Sequence, residues 1–530
     1  MSGRILRSTT TVGLMTLLSR VTGLMRDVVY AHFFGAGALM DAFLVAFKIP
    51  NFLRRLSAEG AFSQAFVPVV SEYKSKRTEQ EVRDLVSGTA GTLGVVLFVV
   101  TAVGVIAAPV LIYIFAPGFK QYGNKFDMAV AMLHWTFPYI LFISLASLYG
   151  GVLNSYGKFG PPAFSTVLMN LIMIVFATSL APWFANPGLA LALGVFVSGL
   201  VQLLYQLPFL ARLKLLAWPR WHWSHEGVKR IGRLMLPGLF GSSVAQVSLL
   251  LDTLIVSFFA TGSVTWLYYA DRFVEFPLGI FSIALATVIL PSLSTHHAEE
   301  SPEQFSVTLE WALKLLVVVV LPAAVGLFAL AGPLTAAIIG NGRYTAFDVR
   351  MTAYALMAYS FGLIWFSFVK ILAPGYFARQ DTRTPVRAGL MALGVNMSIN
   401  LGIVFPLWKH GFPYPHALIA LSTGLSAMTN TWQLYRGLRR ANVLRLSPGW
   451  RTLLIRVLVA NLAMGGALAW LAHDLERWMR LGALQRAGLL LAAVTAGAVV
   501  YFAALWGCGM RLAHLRVRPS PQASPTSGRG

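Results

Sequence analysis

Long apolar stretches make up most of this chain, and short polar segments separate them. The stretches fall at about 11–33, 38–70, 86–116, 128–154, 163–182, 187–212, 232–260, 264–293, 306–338, 350–374, 386–406, 415–435, 452–473 and 484–510. Each is close to or above the roughly 20 residues that a helix needs to cross a bilayer, which predicts about fourteen spans. The stretch at 38–70 is long enough for a span and a turn or two beyond it, and Pro50 predicts a kink inside it. The intervening segments alternate in charge. "EYKSKRTEQEVRD", "RLKLLAWPRWHWSHEGVKRIGR", "ARQDTRTPVR" and "YRGLRRANVLRLSPGWR", with both termini, hold far more Lys and Arg than "PGFKQYGNKF", "ANPG", "ATGS" and "GNGRY". That bias places the first set and both termini in the cytoplasm of a multi-pass inner-membrane protein. The tail "RVRPSPQASPTSGRG" is rich in Pro and Ser and is expected to be disordered.

The pattern also repeats. "FFGAG" at 33–37 returns as "FFATG" at 258–262, and "VPVVS" at 67–71 returns as "LPSLS" at 290–294. Gly151 and Pro161 match Gly375 and Pro385, so every pair lies about 223–225 residues apart. The offset spans six predicted helices, an even number, so both halves have the same orientation. Parallel repeats of this kind are a transporter architecture. The expected division is a first lobe at 1–226, a second at 227–440, two further helices at 441–513 and a tail at 514–530. The fold class is all-α, with two pseudo-symmetric six-helix lobes and two C-terminal helices.

Composition agrees with a membrane chain. Hydrophobic residues make up 57% and charged residues only 12%, against about 45–50% and 25% in soluble domains. Lys and Arg number 42 against 20 acids, a formal charge of +22. Because the excess sits in one set of loops, it is read as topology and not as a nucleic-acid surface. The single cysteine, Cys508, excludes an internal disulfide and a Cys-rich metal site. Arg4 and Arg7 precede the first apolar run, but the run continues too far for a signal peptide and is read as a retained span. No Walker A loop, H-E-x-x-H or G-x-S-x-G is present, which argues against an enzyme, and any pumping is expected to draw on Na⁺, H⁺ or the membrane potential. "THHAEES" at 295–301 reads as a solvated turn.

Charges inside the apolar runs carry the functional reading. Each costs about 2.5–3.5 kcal/mol at a helix centre and needs a partner or a water-filled cavity. Arg20 and Asp27 share a face of the first run, and Arg26 projects about 120° away. Asp41, Lys48, Arg55 and Glu59 follow one stripe of the second run, with Arg54 beside it. In the eighth run Asp271, Arg272 and Glu275 cluster, and Arg272 and Glu275 have the spacing of a helical pair. The repeat sets the first and second runs against the seventh and eighth, so these residues outline a central cavity with a cationic excess. The forked guanidinium suits phosphate oxygens, which points to a large anionic cargo such as a pyrophosphate. The competing reading is a set of structural salt bridges, and for Asp271 and Glu275 it is the favoured one. Asp252 stands alone in "SLLLDTLIV", and Asp381 lies at the tenth–eleventh junction with Asn396 and Asn400 following in the eleventh run, so both are candidates for cation coupling; a helix–helix hydrogen bond is the alternative.

"SRVTGLMRD", "GAGALMDAFLVAFKIPNFLRRLSAEGAFSQAFVPV", "YYADRFVEFPLGI" and "RQDTRTPVR" together resemble the MurJ (MviN) family, bacterial lipid II flippases of the multidrug/oligosaccharidyl-lipid/polysaccharide exporter superfamily. The resemblance covers about residues 8–513. It implies fourteen helices, two lobes around a V-shaped cavity, and a C-terminal helix pair forming a groove for a polyprenyl tail. It assigns substrate binding to Arg20, Arg26, Arg54 and Arg272, and matches Asp27, Asp41 and Glu59 to acidic positions of the family. Asp252 and Asp381 resemble two ligands of a sodium site in some relatives, although Met397 stands where that site has a hydroxyl residue. The expected activity is movement of lipid II, the undecaprenyl-pyrophosphate-linked disaccharide peptide, from the cytoplasmic to the periplasmic face. The expected partners are membrane lipids and cell-wall synthesis or division proteins, and no nucleic acid. The alternatives are a cation-coupled drug or polysaccharide-lipid exporter of the same superfamily, and a non-transporting scaffold for cell-wall enzymes.

Overall fold

The protein is described here by a computed structural model covering residues 2–55 and 62–511. Among them every regular element is helical. Glu59 and the tail from residue 512 lie outside the described residues. In chain order the helices are α1 Ser2–Phe34, α2 Ala38–Arg54, α3 Phe62–Lys76, α4 Glu79–Ile106, α5 Ala108–Phe115, α6 Lys125–Thr136, α7 Tyr139–Ser155, α8 Gly160–Val175, α9 Pro187–Arg212 and α10 Glu226–Val256. There follow α11 Ser263–Pro277, α12 Ala284–Ala298, α13 Pro302–Ala329, α14 Ala331–Ile338, α15 Ala346–Phe377, α16 Arg383–Ile399, α17 Phe405–Lys409, α18 Pro415–Arg440, α19 Trp450–Ala472, α20 Leu475–Arg480 and α21 Ala483–Gly507. Ten helical segments among the described residues are long and apolar enough to cross a membrane. α1, α10 and α18 reach 33, 31 and 26 residues and carry more polar side chains.

The sequence repeat returns as a repeat of elements. α4 and α13 are both 28 residues long and begin 223 positions apart. α5 and α14 are both 8 residues and keep that spacing. Pro109 and Pro333 explain the second pair. Proline has no N–H to continue the preceding helix, so a new one starts around it. α9 and α18 are both 26 residues and both open on proline. A five-residue π-helical turn ends α8 at Phe176–Leu180, and its counterpart ends α16 at Asn400–Val404, 224 positions later. Among the described residues the halves differ in that α6 and α7 are separate helices around Phe137 and Pro138, whereas α15 runs unbroken for 32 residues.

By contact the chain forms two compact units, Met1–Thr265 with Asn341–Thr345, and Trp266–Gly340 with Ala346–Gly530. The 226/227 boundary follows the repeat, while contact keeps α10 with the first unit. In that unit Phe62, Phe66, Val82, Leu85, Leu148, Val152, Leu210 and Ile231 form a core that joins α3, α4, α7, α9 and α10. Gly35 closes the α1–α2 turn at φ +66°, and a Cβ there would lie 2.6 Å from the Arg343 carbonyl oxygen, so the position requires glycine.

In the second unit α19 and α21 pack on α13 through Val317, Val457, Ala460, Met464, Ala493 and Leu505. The buried Tyr501 hydroxyl donates to the Val318 carbonyl at 2.7 Å. Arg486, at the start of α21, donates to the backbone carbonyls of Leu481, Met479, Ala336 and Gly340 at 2.6–3.0 Å. It therefore caps the C-terminal ends of α14 and α20, where the helix dipole favours a cation. α15 and α18 cross at Gly362 and Gly424, where a Cβ on Gly424 would lie 3.1 Å from the Gly362 Cα. Small residues permit such approach between membrane helices.

That crossing makes a prediction. Gly424→Leu is expected to cost about 1–3 kcal/mol by overpacking, seen as a lower melting temperature of the purified protein in detergent. Gly466→Ala on α19, where nothing lies within 4 Å of the added carbon, is expected to leave it unchanged or higher.

Candidate functional site

Several polar residues of α1 form a local network with α8. Arg26 bonds Asp27 Oδ1 through Nη2 at 2.7 Å and through Nε at 3.0 Å. Its Nη1 reaches Asn170 Oδ1 on α8 at 3.2 Å, and its guanidinium lies 5.8 Å from the Tyr30 ring centroid. The Asn170 amide in turn donates to the Ser19 carbonyl and the Thr22 hydroxyl at 3.1 and 3.2 Å. Arg26, Asp27, Asn170 and Thr22 are all buried. Helical angle sets Asp27 on the Arg20 face, yet the long Arg26 side chain bends across to its neighbour and takes that carboxylate. Arg20 is half-buried, and among the described residues it has no hydrogen-bond or ion-pair partner.

Asp41 anchors a second network. It is fully buried and pairs with the equally buried Lys125 at 2.7 Å. Its carboxylate also accepts from Gly262 N at 2.8 Å, Thr265 N at 3.0 Å and Thr265 Oγ at 2.6 Å. Four donors match the four lone-pair sites of a carboxylate. Phe119 and Tyr122 flank the Lys125 ammonium, with centroids at 4.3 and 5.3 Å. Two further bonds close the same region: Gly118 N donates to Ser257 Oγ at 3.0 Å, and the Tyr122 hydroxyl donates to the Phe258 carbonyl at 2.8 Å. The "FFATG" turn is thus held by α2 and by residues 118–125. The "FFGAG" turn is held by residues 341–345, through Arg343 N to the His32 carbonyl at 2.9 Å. In the second unit, Trp266 stands 225 positions after Asp41, and its Nε1 donates to Asp348 at 2.9 Å. His416 packs on Trp266 at 5.0 Å and bonds the Met351 carbonyl at 3.0 Å.

The other expected site residues divide by partner. Lys48 Nζ donates to Thr253 Oγ at 2.6 Å, beside the buried Asp252. Arg54 Nε donates to Asn51 at 2.9 Å, and Arg55 is half-buried at the end of α2. Glu59 lies outside the described residues. Arg272 and Glu275 pair at 2.8 Å with 36% and 41% of their side chains exposed, and Arg272 sits 5.1 Å from the Tyr268 ring centroid. Asp271 beside them is half-buried. Asp381 caps α16, accepting from Thr384 N at 3.0 Å and Thr384 Oγ at 2.6 Å. The Thr384 hydroxyl, then its N–H, hold the Asp381 carboxyl below the usual aspartate range. Asn396 and Asn400 are buried, and both accept from the Ser422 hydroxyl of α18. Among the described residues no group of three His, Cys, Asp or Glu is gathered to hold a metal ion.

Comparison with known proteins places the chain. The family profile described as "Lipid II flippase MurJ" matches residues 30–486. The "Probable lipid II flippase MurJ" of Vibrio cholerae is 44% identical over 522 residues, covering 97% of this chain and 98% of its own. The protein of the same description from Haemophilus influenzae is 43% identical over 514 residues, covering 94% and 99%. Among solved structures, "Lipid II flippase MurJ, inward closed conformation" superposes with a TM-score of 0.75 at 22% identity, over 93% of this chain and 97% of that one.

The Asp41–Lys125 pair can be tested by a mutant cycle. Removing one partner of a buried pair costs about 3–5 kcal/mol, because the other charge is left uncompensated. Lys125→Met and Asp41→Asn are each expected to lower the melting temperature markedly. The double variant is expected to lose less than the sum, and strict additivity would show that the two do not act as a pair.

Proposed function

This chain belongs to the lipid II flippase MurJ family, and from that premise we propose that it carries lipid II from the cytoplasmic to the periplasmic face of the inner membrane by alternating access through a central cationic cavity. Both termini face the cytoplasm in this reading. No bond is made or broken, so the protein has only to lower the cost of taking a pyrophosphate through hydrocarbon. A guanidinium does so with paired, charge-assisted hydrogen bonds. The observation that carries the mechanism is Arg20. Arg26 is engaged by Asp27 and Asn170, and Arg272 by Glu275, while Arg20 has no partner among the described residues. An arginine at that depth costs about 2.5–3.5 kcal/mol, and a visiting phosphate offsets the cost. The Arg26 network then serves to hold α1 on α8 and to aim Arg20. The undecaprenyl tail stays in lipid against the outward apolar residues of α19 and α21, such as Leu462, Leu491 and Phe502. Asp381, with its carboxylate used in capping α16, supports coupling less well than Asp252.

Arg20 and Arg26 are expected to separate in mutants. Arg20→Ala should leave stability near that of the parent and weaken binding of the lipid-linked precursor to purified protein about tenfold or more. The estimate is one lost charged hydrogen bond, about 1.5–3 kcal/mol, at 1.4 kcal/mol per decade. Arg26→Ala should lower the melting temperature, because Asp27 is left buried without its cation. Normal precursor binding and normal complementation of a depleted strain by Arg20→Ala would remove the cationic mechanism.

For Asp252 the measurement is transport in vesicles under imposed Na⁺, H⁺ and voltage gradients. Asp252→Asn is expected to abolish the response to one of the three. A variant that matches its parent under all of them would retire Asp252 as the coupling residue.

A further inference from the structure

The segment "KLLAWPRWHW" at 214–223, between α9 and α10, has a part that transport does not explain. Residues 215–222 form neither helix nor turn, yet their backbone is fixed along α4. Arg220 N donates to the Ser87 carbonyl at 3.2 Å, Ser87 Oγ donates to the Trp218 carbonyl at 2.5 Å, and His222 N donates to Thr92 Oγ at 3.2 Å. Arg83 reaches the Leu216 carbonyl at 3.2 Å. Small α4 residues make room, since a Cβ at Gly91 would overlap the Arg220 backbone. His225 ends the strap by capping α10, with its Nδ1 accepting from Gly227 N at 3.1 Å.

With the backbone pinned, the side chains point outward. Trp218, Trp221 and Trp223 are 87%, 58% and 52% exposed. Between residues 212 and 230 there are five Lys or Arg and one acid, Glu226. Arg230 is answered by Glu72 at 2.8 Å. The height of the strap on α4 is informative. The outward apolar face of α4 begins at Val95 and Val96 and continues through Phe98, Val99, Val103 and Ile106. Val95 lies three residues past Thr92, about 4.5 Å along the axis. The strap therefore crosses α4 where its lipid-facing surface starts, on the side that the Lys and Arg bias marks as cytoplasmic. Tryptophan favours that boundary because its ring is apolar and its N–H is polar, and Lys and Arg there attract anionic headgroups.

We propose that residues 214–223 are a binding strap for anionic phospholipid headgroups of the cytoplasmic leaflet, with the three tryptophans at the acyl boundary and Lys214 and Arg220 on the phosphates. The assignment is independent of the cargo and would stand if the lipid II reading fell.

The test uses the full chain with its one cysteine removed. C508S/W221C, labelled with bimane, is reconstituted into vesicles of phosphatidylcholine alone and of phosphatidylcholine with one-third phosphatidylglycerol. Brominated acyl chains should quench the label several-fold more in the second vesicles, and aqueous iodide correspondingly less. In unlabelled protein, K214Q/R220Q should retain about tenfold less phosphatidylglycerol relative to phosphatidylcholine than the parent by native mass spectrometry. This second variant keeps the strap's backbone bonds and all three tryptophans. A label open to iodide and untouched by bromine in both vesicles would place the strap in water and overturn the proposal. Equal quenching in both vesicles, with unchanged lipid retention in K214Q/R220Q, would overturn the anionic assignment.

Discussion

Asp41 is a charge with no access to water, in a protein whose surroundings are hydrocarbon. Such a carboxylate persists only if its lone pairs are answered locally. Lys125, Gly262 and Thr265 supply that answer with four donors. In doing so they fix three separate parts of the first unit to one another: the start of α2, the start of α6 and the turn before α11. Much of the polar architecture repeats this logic. Arg26 is held by Asp27 and Asn170, and Glu310 by Lys314, Ser447 and Trp450. Arg20 differs, since among the described residues it has no hydrogen-bond or ion-pair partner.

The two halves solve the same problem with different residues. The repeat keeps the lengths of several helices, a proline in the first turn of α5 and α14, and the π-turns after α8 and α16. It does not keep the chemistry at the start of the second helix. One half uses a buried ion pair, and the other a tryptophan N–H on Asp348 with the His416 ring tilted against it. Backbone geometry is set by packing in lipid, which constrains both halves alike. A particular donor and acceptor are free to change so long as each remains satisfied.

Much of this was legible beforehand. Apolar runs mark helices because no other element satisfies its own backbone in lipid. Their finer breaks were not, since the runs at 86–116 and 306–338 each contain two helices, the second with a proline in its first turn. Helical angle set Asp27 on the Arg20 face and Arg26 elsewhere, but it takes no account of how far an arginine side chain reaches, so the Arg26–Asp27 pair was not visible in it. Lys125 was passed over as one loop cation among several; its burial depends on Asp41, 84 positions away. Asn170 offered a signal in the apolar "LMNLIM", a lone amide with no reason to be there unless bonded. The bonds that Asp381 accepts from Thr384 at the start of α16 were also open to reading, from the T-R-T that follows it.

Arg486 holds the C-terminal pair by backbone oxygens of four other residues. Every residue has such an oxygen whatever its side chain. Sequence drift at Ala336, Met479 or Leu481 leaves the acceptor in place, so the anchor can be lost by a change at Arg486 far more readily than by one at those neighbours. Gly340 is the exception, because a Cβ there would come within 2.7 Å of the Ala336 oxygen that Arg486 also uses. Among these five residues, the inheritance of the joint therefore rests chiefly on the codons of Arg486 and Gly340.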